Sequence, residues 1–66
     1  MWIVIHMAKS FDQAQLMQDL LGQEGFLVRL HPIYRKVSQE ANYYEVKVPE
    51  SEAQEARQVL FDNGLC

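Results

Sequence analysis

Arg29, His31, Arg35 and Lys36 gather half of the chain's Arg, Lys and His residues into eight positions, with Tyr34 among them and Tyr43 and Tyr44 shortly after. A guanidinium group forks onto carboxylate or phosphate oxygens, and an interleaved aromatic ring stacks on a planar partner. The 29–36 segment is therefore a candidate anion site, with Arg29, His31, Tyr34, Arg35 and Lys36 closing over a small phosphate or carboxylate. The plainer reading is a solvated loop whose charge is balanced by Glu40 and Glu45.

Other chemistry is thinner. His6 is a possible general base or metal ligand by residue type. Its plainer role is a histidine on a half-polar strand face, bonded to a neighbour. If the strands bearing His6 and His31 paired, the two imidazoles would form a patch. Two ligands rarely hold a metal, and nothing in the spacing recruits a third from Glu45 or Cys66. Cys66 has no basic neighbour, and Asp62 with the terminal carboxylate disfavours a thiolate there. Nor does its position fit a prenylation signal. No nucleophile–base pair is visible, so the sequence does not read as an enzyme and implies no cofactor and no metal.

The chain has 66 residues and a net charge of -3. A domain this short buries only about 60% of the surface that its unfolded chain exposes, and it commonly needs a staple. With one cysteine and two histidines, neither an internal disulfide nor a structural zinc site is available. Self-association, most simply as a homodimer, is the remaining expectation. The negative charge disfavours nucleic acid and anionic membranes, and the run Tyr43–Val48 lacks the Gly-rich aromatic pattern of RNA-binding strands. No apolar run approaches the length of a membrane span. A lone cysteine without an export signal makes the cytoplasm the expected compartment.

The elements that must position these residues follow from periodicity. Residues 2–7 are β-branched and aromatic, and predict a strand with Ile3, Ile5 and Met7 on one face and Trp2, Val4 and His6 on the other. Ser10 with Gln13 predicts a capped helix. Its buried stripe is Ala14, Met17, Leu20 and Leu21, widened by Phe11 and Leu16, and Gly25 closes it. Residues 26–31 alternate as a strand ended by Pro32, with Leu27, Arg29 and His31 facing outward. Residues 32–42 form a long connection without a period. In the strand 43–48, Tyr44, Val46 and Val48 face the core, while Tyr43, Glu45 and Lys47 face out. A helix over 50–63 follows, with a second capping box from Ser51 and Gln54 and a buried stripe of Ala53, Ala56, Val59 and Leu60. Asn63-Gly64 stops it, and Leu65 folds back over the cap.

This β-α-β-β-α order predicts a single α+β domain over residues 1–66, a ferredoxin-like split β-α-β sandwich without the last strand. Its three-stranded sheet is antiparallel or mixed, with both helices on one face. The opposite face then presents Trp2, Val4, His6, Leu27 and Tyr43 among charged groups, a composition suited to an interface. Trp2 reads equally well as packing or as an interface anchor.

Three stretches also carry a resemblance. The opening strand Trp2–Met7, the helix end Ala14…Leu20-Leu21…Glu24-Gly25-Phe26, and the run Tyr44-Glu45-Val46-Lys47-Val48-Pro49-Glu50-Ser51-Glu52 entering an Ala-rich helix resemble the prokaryotic signal-transducing protein family. That family is a domain-of-unknown-function group of short bacterial proteins. The resemblance spans nearly the whole chain. It implies a ferredoxin-like fold and a regulatory role, and carries over no catalytic residue. Short chains of this kind also bear the name glutamate decarboxylase. A pyridoxal-phosphate decarboxylase needs a Schiff-base lysine and a phosphate cradle; the lysines here are Lys9, Lys36 and Lys47, with no Gly-rich loop beside them. The sequence thus points to a non-enzymatic binding or regulatory module acting through a sheet face or open edge, with a small-anion sensor built on residues 29–36 as the alternative.

Overall fold

The computed structural model describes residues 1–65, so Cys66 and the readings placed on it lie outside the described residues. Strand β1 (Trp2–Ala8) leads into helix α1 (Phe11–Gln23), strand β2 (Arg29–Pro32), a 3-10 turn at Gln39–Ala41, and strand β3 (Tyr44–Pro49). A second 3-10 turn (Glu50–Glu52) then opens directly into helix α2 (Ala53–Asp62). The sheet has three strands in the order β1-β3-β2, and both pairings are antiparallel. Hence β1 and β2 run parallel with β3 between them. The protein is an α+β structure with both helices on one sheet face.

Local chemistry accounts for where α1 begins and ends. Ser10 has extended backbone, and its Oγ accepts from the Gln13 amide at 3.1 Å. The return bond of the capping box is displaced by one residue: Gln13 Oε1 accepts from the Lys9 amide at 2.9 Å. At the other end Gly25 adopts φ +93°, and the Phe26 amide reaches back to the Leu21 carbonyl. A side chain is strained at that φ, which is why glycine closes the helix. Helix α2 ends by the same device, with Gly64 at φ +71° and the Leu65 amide on the Leu60 carbonyl. Leu65 packs against the core, as its folding back over the cap predicts.

The core lies between the helices and one sheet face. Tyr44, Val46 and Val48 meet Ala14, Met17 and Leu21 of α1 and Ala53, Ala56 and Leu60 of α2. Both helical stripes match the spacing, apart from Leu16, which is 54% exposed. Phe11 remains at the core edge, where its ring meets Tyr44 edge-on at 5.6 Å.

Three further expectations need correction. The strand read over 26–31 is confined to Arg29–Pro32. Phe26 and Val28 still pack on the core, but extending the ladder would set Leu27 opposite Pro49, which has no amide to donate. The Leu27 amide turns instead to Glu52 Oε1 at 3.3 Å. Residues 50–52 are a 3-10 turn rather than the first turn of an α-helix, and neither Ser51 nor Glu52 supplies a side-chain cap. The third correction concerns β1. Val4 pairs with Lys47 but His6 pairs with Val46, so the register shifts by one residue around Ile5. Ile5 and His6 together oppose Val46, as in a β-bulge. Beyond it the alternation inverts, placing His6 and Ala8 on the helix-covered face and Met7 on the outer face.

Candidate functional site: the outer face of the sheet

The register places the outer-face residues in rows across the sheet. Arg29 of β2, Lys47 of β3 and Val4 of β1 form one row; His31, Glu45 and Met7 form the next. Trp2 stands opposite Pro49 beyond the first row. Neither helix packs here, and Val4 and Met7 remain 40% and 46% exposed.

Two polar contacts organise this face. The Arg29 guanidinium reaches across the central strand and lies 4.3 Å from the centre of the Trp2 ring. A cation at that distance is held by the ring's electrostatic field, and contributes about 0.5–1 kcal/mol at an exposed site. Lys47 Nζ is 3.6 Å from Glu45 Oε1, its neighbour on the same strand face. The face therefore combines an indole capped by a guanidinium, two exposed aliphatic side chains and charges of both signs.

The candidate residues are thereby redistributed. Trp2 and Val4 share the outer face as expected. His6 does not: the bulge turns it to the face of Val46, and Met7 takes the outward place. The His6–His31 patch does not form either, because β3 separates their strands and the two residues occupy opposite faces. Leu27 is exposed but lies outside the strand. Tyr43, also exposed, precedes β3, where its ring tilts against Tyr34 at 6.3 Å.

The five residues of the anion segment separate into two places. Arg29 and His31 belong to the outer face, with Arg29 committed to Trp2. Tyr34, Arg35 and Lys36 lie beyond Pro32 in the connection to β3, where Tyr34 and Arg35 border a cleft against the start of α1. Sequence reasoning overlooked Asn42, the only polar or charged residue among the buried described residues. Its Oδ1 accepts from the Tyr34 and Tyr43 amides at 3.0 and 2.8 Å, and its Nδ2 donates to the Tyr34 carbonyl at 2.7 Å. An Asn beside two tyrosines gave no period to read, although Asn is the residue type whose side chain substitutes for backbone in a turn.

Among the described residues no three His, Cys, Asp or Glu side chains converge as metal ligands. No described helix is long and apolar enough to cross a membrane. Comparison with family models, curated proteins and solved structures finds no match to this chain.

Proposed function

We propose that this chain is a non-enzymatic binding or regulatory module of ferredoxin-like fold lacking its final strand, acting in the cytoplasm as a homodimer through the outer face of its sheet. The observation that carries the reading is the Trp2–Arg29 stack flanked by exposed Val4 and Met7 on a face that neither helix covers. An indole, an arginine and a methionine are residue types enriched where proteins meet. Arg29, Lys47 and Glu45 supply both charges, so a two-fold related copy can set a cation against a carboxylate. The β-α-β-β-α order with β3 between parallel β1 and β2 supports the fold reading. The resemblance to signal-transducing proteins fits a regulatory role.

The test is a Trp2→Ser/Val4→Thr double variant followed by sedimentation velocity and native mass spectrometry. Neither side chain is part of the buried core, so the variant is expected to fold, with its circular dichroism unchanged, and to shift from dimer to monomer. A wild-type chain that is monomeric at high concentration and binds no protein partner overturns the reading. So does a dimer that the double variant leaves intact.

A further inference from the structure

The geometry points to a ligand site for a small planar aromatic monoanion, in the cleft between the β2–β3 connection and the N-terminal turn of α1. This inference stands apart from the self-association reading and uses none of the residues that carry it.

The cleft is open to solvent, has a volume of ≈ 300 Å³ and is lined by Phe11, Tyr34, Val37 and Tyr44, with the exposed Arg35 and the buried Asn42 among its polar groups. That volume is at the lower end of the range for small-molecule sites, enough for one ring with a short substituent. Apolar and aromatic side chains supply about half of the lining and suit the face of a ring, while Arg35, Gln39 and Asn42 supply polar surface. Arg35 is the cation on the rim, and it makes no hydrogen bond, ion pair or ring contact with any described residue. A guanidinium without a partner beside aromatic walls is matched by a carboxylate attached to a ring.

The connection is also held in shape before any ligand arrives. Three hydrogen bonds from the buried Asn42 side chain close the segment between Tyr34 and Tyr43. The Tyr44 hydroxyl donates to the Gln39 carbonyl at 2.8 Å and fixes the 3-10 turn, and the Ile33 amide donates to the Tyr43 carbonyl at 3.0 Å. Binding therefore does not have to order a loose loop, a cost that otherwise reduces affinity.

Charge decides how the ligand lies. A neighbouring hollow of ≈ 280 Å³ shares Phe11 and Gln39 with the cleft, but its rim carries Asp12 and Glu40. These carboxylates repel an anion, so the ligand's carboxylate belongs at the Arg35 end and its ring lies towards Phe11 and Tyr44.

The experiment is an amide NMR titration of the full chain with benzoate, repeated with benzamide and with the Arg35→Gln and Arg35→Lys variants. Arg35 is exposed and bonds to no described residue, so both variants are expected to keep the wild-type spectrum away from the cleft. Benzoate is expected to shift Tyr34, Val37, Asn42 and Tyr44 amides saturably, with a dissociation constant on the order of 1 mM for so small a ligand. Benzamide and Arg35→Gln should each weaken binding about tenfold, and Arg35→Lys should restore part of the loss. Shifts that do not saturate, that fall outside the cleft, or that are the same for benzamide or for Arg35→Gln overturn the proposal.

Discussion

The two faces of the sheet are made from the same strands and solve different problems. On the helix-covered face, Val46 and Val48 are fully buried and meet both helices. On the opposite face, one residue away along the chain, Lys47 and Glu45 pair with each other, and Val4 stands 40% exposed in the row that Arg29 completes. The first face holds the fold together by removing apolar area from water. The second contributes little to that task while still displaying a tryptophan, a valine and a methionine. The contrast teaches that apolar residues on the outer face are not explained by the stability of the monomer.

The comparison can be broken most severely at α2. Leu60→Ala empties a fully buried position and should cost about 2–5 kcal/mol. That is close to the whole stability of a domain this small, about 3–5 kcal/mol. Circular dichroism should therefore show a largely unfolded chain. A matched pair sharpens the contrast. Val46→Ala should cost about 2 kcal/mol by urea denaturation, from two lost methyl groups and the space they leave. Val4→Ala, the same chemical change on the outer face, should cost the folding of a single chain under about 1 kcal/mol, measured at a concentration too low for self-association, because much of that side chain is in water in the monomer. Equal costs would erase the distinction between the faces. The smallest effect on the folding of one chain belongs to Arg29→Ala, which removes the cation over Trp2 and should lower stability by about 0.5 kcal/mol. Its signature would be a change in indole fluorescence with an unchanged far-UV spectrum, accompanied by weaker self-association if the outer face is the dimer interface.

How far the sequence could be read depended on whether a residue's role was local. Ser10, Gln13, Gly25, Asn63 and Gly64 act on backbone within a few positions, and α1 and the end of α2 were legible through them. The alternation of Tyr44, Val46 and Val48 sufficed for β3. The length of β2 was not legible, because whether Phe26–Val28 pair depends on Pro49, more than twenty residues away and without a donor. The start of α2 was misread for a similar reason: Glu52 turns its carboxylate to the Leu27 amide instead of capping its own helix. Of the anion segment, Tyr34 and Arg35, adjacent in the chain, border one cleft. Spacing could not show that Arg29 would reach across a strand to Trp2, since that depends on strand order. The cleft itself was hidden because its walls come from α1, β3 and the connection, and its shape rests on Asn42.

The irregularity at Ile5 has a consequence for chain length. A one-residue deletion inside a regular strand slips every later residue to the wrong side, so such deletions are seldom tolerated. At Ile5 the opposite holds. Val4 already faces Lys47 and His6 already faces Val46, and removing the residue between them would leave both partnerships in place. The loss would be confined to Ile5's own packing against the core. This strand therefore has one position where loss of a residue is compatible with the pairing on either side. Aligning it with another chain by unbroken alternation would assign Trp2–Val4 and His6–Ala8 to mismatched sides; a gap opened at Ile5 keeps both halves in step.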